Sequence, residues 1–485
     1  MKVIPDQTDT SSGNLLHLWL VQFITLIETY PGMKPTTACR LYFILGSLLW
    51  NSLAVIDGQF PFVDGFSTPM YTMTGATDHE KWEVFQEMLV LSWNALIASE
   101  LPLLSPVTSP NPFPPPLPFR DSFVLNLTNY IQARYKDGYH ETRPPFSYPN
   151  EGHYVVIGGE PLQNINTDLP SPTSWAPLSV LQTDQTYKNQ SYVTPYFGLT
   201  QNWMTEVEYT AFQTLVDKYF PSDTLAAEQE AEMVKLQSSL TDDQRIKAEI
   251  WAGSEPGKAG PPGKWMIIIA ILIASNQWAL RESVAIVGGI SFCLFHAGVA
   301  AWTVKGAYLQ PRPIQAIRRD YYGQPIVHPL TGQVADGGAW LPWQESSLYT
   351  PGFPDFISGH STFSMACAVF LQMILRSDII PIQGCLIEPS YMQLTSSVFD
   401  LNTQPFLFGS ITLPTGCSKV NPAYPTTQVE ESWSTWSSLA REVGISRVYG
   451  GIHWNNSNLG GFAVGQYIGQ FILQYIHWDS LGLQF

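Results

Sequence analysis

The sequence predicts a mainly α-helical fold in which two helical bundles are accompanied by long irregular loops. Apolar residues recur at spacings of three and four over long segments, and no region alternates apolar and polar residues as strands do. Stretches rich in Gly and Pro separate these segments. Because 485 residues are more than one core normally holds, we expect an N-terminal bundle at residues 1–220 and a C-terminal bundle at residues 221–485.

In the first half, a helix is predicted wherever the apolar period runs without a proline. The proline-rich residues 105–118 cannot be helical and are predicted to form a surface linker. Residues 136–200 are rich in Pro, Gly and Asn, which predicts a long irregular wrap with at most a short hairpin near residues 154–157. Loops of this length usually pack over a functional site. The predicted helices are residues 15–29, 36–56, 78–99 and 121–135.

In the second half, capping signals mark several helices. Thr241 and Gln244 form a T-x-x-Q capping box, which predicts a helix that Gly253 ends. The prolines at 261 and 262 predict that the next helix begins near Lys264. Further helices are predicted at residues 281–308, from near His360, from near Glu430 and after Asn455.

Residues 283–304 carry no charge and are long enough to span a bilayer. The mean hydropathy of the chain is only −0.01, and Lys and Arg show no bias toward particular loops. We therefore predict a buried core helix here and no membrane span.

The composition excludes several classes of partner. The 24 Lys and Arg against 40 Asp and Glu give a net charge of −16, which repels nucleic acid and anionic lipid. Any anion site must therefore be a local cluster of basic residues. The 5 cysteines show neither C-x-x-C spacing nor an even framework, which argues against a zinc site or a disulfide scaffold. Residues 1–12 are polar, so no signal peptide is visible; the compartment and any homo-oligomer stay open.

The first candidate site segment contains Lys305 and, seven residues later, Arg312. Seven residues at about 100° each return to within about 20° of the starting direction, which predicts both cations on one helix face. Pro311 bends or ends that helix, and Pro313 prevents its continuation. A lysine and an arginine that converge suit a tetrahedral oxyanion. The alternative is two solvated cations at a helix end, where the helix dipole favours them.

The second segment is Ser358, Gly359 and His360, followed at once by an apolar run. This order predicts a helix N-terminus, where free backbone N–H groups and the dipole attract anions. Glycine allows close approach to a ligand, and an imidazole exchanges protons near neutral pH. The alternative is an ordinary helix cap.

The third segment supplies Arg447 and, six residues later, His453. A neutral imidazole is a metal ligand or a nucleophile toward phosphorus. The alternative is a helix-end Arg and a loop His. Trp302, one turn before Lys305, walls the pocket or packs in the core. His296 is about 180° around the predicted helix from Lys305, so it is expected to be a core histidine.

Together the segments read K-x6-R-P, S-G-H and S-R-x5-H, which resembles the tripartite signature of vanadium-dependent haloperoxidases and the type-2 phosphatidic acid phosphatase superfamily. Residues 240–265 and 175–200 also look like haloperoxidase stretches. One such motif is weak, but three in this order with this spacing are specific. The resemblance covers roughly residues 175–480 and implies a haloperoxidase-like helical fold.

The resemblance implies vanadate as cofactor, with hydrogen peroxide, halide and a small organic acceptor as substrates. His453 would bind the metal axially, and His360 would act as the acid–base group. Hydrogen peroxide would be activated on the metal and would oxidise halide to hypohalous acid. Trp302 and Phe353 resemble an aromatic pair near the halide in fungal chloroperoxidase-like members. The residues implied to hold the vanadate oxygens are Lys305, Arg312, Ser358, Gly359 and Arg447.

The chain departs from the superfamily pattern at two positions. Ser457 stands where that pattern, most clearly in the phosphatases, has Asp four residues after the last His; Asn456, Asn458 or a backbone carbonyl could orient His453 instead. The missing Asp weakens the alternative of an acid-phosphatase-like hydrolase with a histidine nucleophile. A remnant oxyanion site without catalysis is a third hypothesis. Ile357 replaces the proline usual before S-G-H.

Overall fold

The chain is seen in a computed structural model. It describes residues 16–476 except 59, 61–62, 64–72, 74, 107–119, 159–169, 253–259, 382–385, 388–405 and 408–409. Most of the predicted linker and the predicted helix end at Gly253 lie outside the described residues. The helices are α1 (Leu16–Thr29), α2 (Pro35–Asp57), α3 (Asp78–Glu100), α4 (Arg120–Tyr135), α5 (Glu206–Asp217), α6 (Asp223–Gln237), α7 (Asp242–Ile250), α8 (Gly260–Asn276), α9 (Leu280–Tyr308), α10 (Pro313–Asp320), α11 (Gly359–Ile374), α12 (Trp436–Tyr449) and α13 (Asn455–Ile476).

The predicted mainly α-helical fold is confirmed, and local capping explains where several helices begin. The predicted capping box of α7 is present, because Thr241 accepts from the Gln244 N–H and Gln244 bonds back to the Thr241 backbone. A second capping box, Thr205 with Glu208, begins α5, and Ser222 caps α6. The sequence analysis did not predict α5 or α6. Helix α6 is mostly polar, so its apolar period is weak, whereas α5 has a clear apolar face with buried Phe212 and Val216 that the sequence analysis overlooked.

Helix α9 lies at the centre of the fold. It packs against α2 on one side and against α11 on another, and α11 in turn packs along α13. At Gly289 of α9, a Cβ atom would lie 2.1 Å from Cζ of Phe370, so only glycine allows α11 to approach this closely. Three candidate site segments therefore sit at the ends of mutually packed helices: Lys305 near the end of α9, Gly359 at the start of α11, and His453 just before α13.

One hydrophobic core joins the two halves of the chain. Its members come from α1, α2 and α3 as well as from α9, α11 and α13. The division into domains at residue 220 stays a prediction. Two apolar segments are long enough to cross a membrane, Pro35–Asp57 and a window within Leu280–Asp320, and both windows are entirely buried inside the fold. The prediction that residues 283–304 form a buried core helix is thus confirmed.

Short strands form three small sheets beside the helices. Val155–Ile157 (β1) pairs in parallel with Leu178–Leu181 (β2), so the hairpin predicted near residues 154–157 is wrong. The pairing is non-local because 20 residues separate the two strands, and period-2 patterning over three residues cannot reveal it. Strand β2 pairs antiparallel with β3 (Tyr187–Asn189). The other strands are β4 (Pro325–Val327), β5 (Val334–Asp336), β6 (Leu386–Ile387), β7 (Phe406–Leu407), β8 (Ser410–Leu413) and β9 (Val429–Ser432).

The helix predicted from near Glu430 begins later. Val429–Ser432 is strand β9, which pairs antiparallel with β8 and alternates buried and exposed residues. The helix begins at Trp436, because the Thr435 side chain caps it by accepting from the Ser438 N–H. The start predicted near Glu430 therefore falls within the strand.

Candidate active site

Lys305 and Arg312 come together through a turn, not along one helix. Helix α9 ends at Tyr308 because Leu309 adopts a left-handed conformation with φ of 48°. Arg312 is the N-cap residue of α10, whose first residue is Pro313. The prediction that both cations share one helix face is therefore wrong, although their convergence is correct. The Lys305 ammonium donates to the carbonyl oxygens of Pro354 and Asp355, each at 2.9 Å.

Arg312 is fully buried and reaches the third motif. Its Nε donates to the Phe353 carbonyl at 2.8 Å, and Nη1 donates to the Ile452 carbonyl at 2.6 Å. Nη1 also lies 3.1 Å from Nε2 of His453. Nη2 is buried and has no hydrogen-bond partner among the residues that the structure describes. A buried guanidinium N–H without an acceptor indicates a place for a ligand oxygen.

Ser358 and Gly359 form the predicted helix N-terminus. Ser358 is the N-cap residue of α11, and its side chain accepts from the Ser361 N–H. The Ser358 backbone N–H donates to the Ser457 carbonyl at 3.0 Å, which ties this terminus to the start of α13. A Cβ at Gly359 would already touch Phe363 at 3.4 Å. The N–H groups of the first turn of α11 need acceptors from outside the helix, so they suit an anion.

Arg447 lies in the last turn of α12 and is fully buried. Its Nε donates to Oγ of Ser446 at 3.0 Å, and Nη2 donates to the Ala248 carbonyl. Its buried positive charge acts on both His360 and His453.

His453 is held between the two other motifs, and its tautomer follows from its neighbours. An arginine nitrogen only donates, so the contact with Nη1 of Arg312 requires an unprotonated Nε2 and places the proton on Nδ1. Nδ1 lies 3.1 Å from Oγ of Ser457 and 3.0 Å from Oδ1 of Asp355. Burial, followed by the charges of Arg312 and Lys305, holds the pKa of His453 well below its usual value. The imidazole is therefore neutral, with its Nε2 lone pair facing the cations.

His360 is the second buried imidazole of the site. Its Nε2 donates to the carbonyl oxygens of Trp251 at 2.9 Å and Ala252 at 3.2 Å. Since both partners only accept, Nε2 carries the proton and Nδ1 is the basic atom. Burial, then Arg447, holds the pKa of His360 well below its usual value.

Among the described residues, the two cations Lys305 and Arg312 outnumber the one carboxylate that faces them, Asp355. Lys305, Arg312 and Arg447 are each at most 1% exposed. The carboxylate of Asp355 faces the first two, with Oδ1 3.8 Å from Nη1 of Arg312. Burial lowers the pKa of Lys305 well below its usual value and that of Arg312 to about 10. Burial also raises the pKa of Asp355 to about 6. Excess buried positive charge of this kind is stabilised by a bound anion, so the residues present fit vanadate or phosphate.

Trp302 and Phe353 form an aromatic wall beside the cations. Their ring centroids lie 4.9 Å apart. The Lys305 ammonium lies 5.0 Å from the Phe353 ring centroid and 5.9 Å from that of Trp302. The Trp302 indole N–H donates to the Val193 carbonyl, so the loop predicted to wrap over the site does contact it.

Sequence reasoning missed Asp355. The residues expected to orient His453 were those that follow the imidazole, whereas Asp355 lies 98 positions earlier in the chain. The suggested Asn456 and Asn458 do not orient His453: the first bonds to Gln229 and Tyr219, and the second accepts from Oγ of Ser361. The available signal was a single acidic residue just before S-G-H in an otherwise apolar segment.

His296 has the predicted core role. It is fully buried, Nδ1 bonds to the Phe292 carbonyl at 2.8 Å, and Nε2 accepts from the Trp203 N–H at 3.2 Å. Neither bond involves a site residue.

Fold and site together define a helical-bundle protein with a buried cradle, formed by Lys305, Arg312, Arg447 and the N-terminus of α11, and a neutral imidazole, His453, that faces the cations. Residues 286–478 match the family model of the VCPO second helical-bundle domain. No curated protein matches the chain.

Three solved structures are similar in fold along nearly the whole chain. The holo form of a bacterial vanadium-dependent chloroperoxidase has a TM-score of 0.68 and 16% identity, covering 98% of this chain and 100% of that one. The apo form of a bacterial vanadium-dependent chloroperoxidase has a TM-score of 0.63 and 17% identity, covering 92% and 96%. A bacterial vanadium-dependent iodoperoxidase has a TM-score of 0.51 and 15% identity, covering 98% of each chain.

Residues 286–478 thus match this second-bundle domain family, and the chain as a whole has the fold of the vanadium-dependent haloperoxidases to which it is similar. The resemblance drawn from the three motifs is confirmed at this level.

Proposed function

We propose that this protein is a vanadium-dependent haloperoxidase, which oxidises halide with hydrogen peroxide according to X⁻ + H2O2 + H⁺ → HOX + H2O. The hypohalous acid then halogenates a small organic acceptor. The observation that carries the proposal is the pair of buried cations, Lys305 and Arg312, that faces a single carboxylate beside the unprotonated Nε2 of His453. The haloperoxidase fold supports it.

Different residues of the cradle would interact with different parts of vanadate. Lys305, Arg312 and Arg447 would neutralise its charge, and the N-terminus of α11 at Ser358 would donate to its oxygens. His453 would bind vanadium through Nε2; Gly359 would keep the helix start close to the ligand. When bound, vanadate supplies a Lewis acid that activates hydrogen peroxide without changing its own oxidation state.

His360 would hold and move the proton of the reaction. Its Nε2–H is fixed on two backbone carbonyls, which leaves Nδ1 free to take a proton from peroxide and return it to the leaving oxygen. Its lowered pKa keeps it neutral near pH 7, as this role requires.

Trp302 and Phe353 would line the approach of halide. The aromatic wall excludes water from one side of Lys305 and Arg312, with the Phe353 centroid 4.8 Å from Cζ of Arg312. Anions bind more strongly to cations from which water is excluded. An aromatic pair at these positions favours chloride as a substrate.

One observation favours a second candidate, an acid-phosphatase-like hydrolase. Phosphate fits the same cradle, and a carboxylate beside Nδ1 of His453 is what a phosphate-attacking imidazole needs. The Ser457 departure therefore argues less against a phosphatase than it does in sequence alone.

The test loads the purified protein with orthovanadate, removes free vanadate by dialysis and measures bound vanadium. Halogenation of monochlorodimedone with peroxide and bromide or chloride is then followed, with and without phosphate, alongside hydrolysis of p-nitrophenyl phosphate. We expect about one vanadium per chain and halogenation that needs vanadate and is inhibited by phosphate. Hydrolysis without halogenation would favour the phosphatase, and neither activity would identify a remnant site. Asp378→Asn is the control variant, because this carboxylate lies outside the cradle, where it accepts from the Ser437 N–H in the first turn of α12.

A further inference from the structure

The carboxylate beside His453 enters the site from an unexpected side. The position four residues after the imidazole holds Ser457, which has no charge. Asp355 instead reaches Nδ1 of His453 from the segment between Phe353 and α11, with Oδ1 at 3.0 Å. Both residues are fully buried.

The hydrogen bonds around Ser457 limit what its hydroxyl can do. Its single proton is donated to the Asp355 carbonyl at 2.9 Å, so Oγ can only accept from Nδ1 of His453. The Nδ1–H group therefore lies between two acceptors, the Ser457 hydroxyl and the Asp355 carboxylate. Oδ1 of Asp355 lies 3.0 Å from Nδ1 and has no aligned hydrogen-bond partner among the described residues, so its acceptor capacity remains for the imidazole.

Asp355 is itself rigidly held. Its backbone N–H donates to the Gln310 carbonyl at 2.9 Å, and its own carbonyl accepts from both Lys305 and Ser457. Oδ2 accepts from the Trp454 N–H at 3.4 Å. Were Asp355 only a counterion for the cradle, Oδ1 would lie nearest a cation; instead it lies nearer to Nδ1 of His453 than to Arg312.

We propose that Asp355, acting with Ser457, is the positioning residue that keeps the proton of His453 on Nδ1 and so presents Nε2 to the oxyanion. It takes over the role of the carboxylate that the superfamily pattern places four residues after the histidine. The effect of Asp355 on vanadate binding rests on the proposed function, whereas its effect on the His453 tautomer does not.

The first measurement is the tautomer of His453 in protein free of vanadate, from long-range ¹H–¹⁵N spectra of histidine-labelled protein, assigned by difference from His453→Gln. We expect Nδ1–H in the unmodified protein. In Asp355→Asn the Trp454 N–H retains the oxygen, so the amide NH2 faces Nδ1 and opposes the Nδ1–H tautomer that Arg312 and Ser457 still favour; we expect a measurable population of Nε2–H. An unchanged Nδ1–H tautomer in Asp355→Asn would overturn the proposal.

The second measurement compares vanadate and phosphate as probes. Under the proposed function, vanadate would bond to the imidazole, whereas phosphate would rest on the cations and N–H groups alone. Loss of a group that hydrogen-bonds a metal-binding histidine weakens metal binding about 10–100-fold, so we expect Asp355→Ala to weaken vanadate binding by this factor while phosphate binds equally or more tightly. Equal weakening of both probes would mean that Asp355 only supports the cradle, and would overturn the proposal.

A carboxylate placed at position 457 should restore the vanadate affinity that Asp355→Ala loses. In the double variant Asp355→Ala/Ser457→Asp, a carboxylate at position 457 is within reach of Nδ1, since Oγ of Ser457 already lies 3.1 Å from it. We expect recovery of most of the lost vanadate affinity, and no recovery would contradict the proposal. If the unmodified protein binds vanadate but does not halogenate, or binds no vanadate at all, the proposed function is wrong. In either case the tautomer measurement still decides the role of Asp355.

Discussion

The ring centroid of Phe353 lies 4.9 Å from that of Trp302, with the two planes inclined by 49°. The Phe353 ring lies against the Lys305 ammonium, and the Phe353 backbone carbonyl accepts a hydrogen bond from Nε of Arg312. The backbone of Phe353 thus fixes the position of Arg312, and the ring of Phe353 shields Lys305 from water.

Phe353→Ala is therefore expected to reduce chlorination more than bromination. Removing the ring admits water beside Lys305 and Arg312, which weakens their hold on anions, and chloride is the more strongly hydrated and less easily oxidised halide. The measurement is kcat/KM for both halides in vanadate-loaded enzyme. Phe353→Leu, which keeps most of the volume, serves as the control. An equal loss for both halides would argue against a halide role for this wall.

His453→Ala should abolish retention of vanadium. The variant removes the one imidazole nitrogen whose lone pair faces the buried cations. Phosphate should still bind, because Lys305, Arg312 and Arg447 remain. Vanadium content after gel filtration and phosphate affinity by calorimetry check both parts. Retention of vanadium at the level of the unmodified protein would show that another atom binds the metal.

His360→Ala should leave vanadium bound but lower turnover. General acid–base groups contribute about 10²–10⁴-fold to rate, so a loss of this size in kcat is expected with little change in metal content. The lowered pKa predicts that activity falls only as the pH drops well below the usual range of histidine, where His360 becomes protonated. Full activity in His360→Ala would exclude the proposed proton role.

His296 lies outside the site and makes a prediction about stability. Burial lowers its pKa from 6.5 to about 4. The unfolded chain thus binds this proton more tightly than the folded one, and stability is lost as the pH falls from 6.5 toward 4, by about 3 kcal/mol over the whole window. His296→Gln should be less stable at pH 7 yet lose less stability between pH 7 and 5, measured by urea unfolding. His153→Gln, at an exposed position, should follow the unmodified protein.

The parts of the fold that could be predicted from sequence are those with a strong local period. The long helix with Lys305, the start of α11 at Gly359 and the final helix from Asn455 were all expected within a residue or two. The weakly amphipathic α6 was not predicted, and α5 was overlooked despite its apolar face. The helix start expected near Glu430 was wrong because those residues belong to a four-residue strand, which is too short to show a clear period.

The site could be predicted in its members but not in its geometry. Three motifs carry the cations and imidazoles, whereas the left-handed Leu309 that turns Arg312 toward Lys305 has no glycine to mark it. Asp355 was not predicted because its carboxylate meets His453 through a tertiary contact between residues 98 positions apart. Local patterns predict which residues carry chemistry; packing of α9, α11 and α13 decides which of them meet.

The packing of α13 on α11 gives the last prediction. A Cβ at Gly461 would lie 2.8 Å from the Ser358 carbonyl oxygen, and a Cβ at Gly469 would lie 2.7 Å from that of Ala366. Both glycines allow the same close approach of the two helices, but only Gly461 is next to the cradle. Overpacking usually costs about 1–3 kcal/mol, so Gly461→Ala and Gly469→Ala should lower the free energy of unfolding by similar amounts.

Their effects on the site should differ. In Gly461→Ala the helices separate where Ser358 bonds to Ser457, which shifts the N-terminus of α11 relative to His453 and weakens the binding of both vanadate and phosphate. In Gly469→Ala the displacement occurs about two helical turns away, and affinity should stay close to that of the unmodified protein. Urea unfolding and vanadate titration of the two variants check this. Equal affinities despite equal destabilisation would mean that the cradle tolerates movement of α13, and that the close contact at Gly461 serves stability alone.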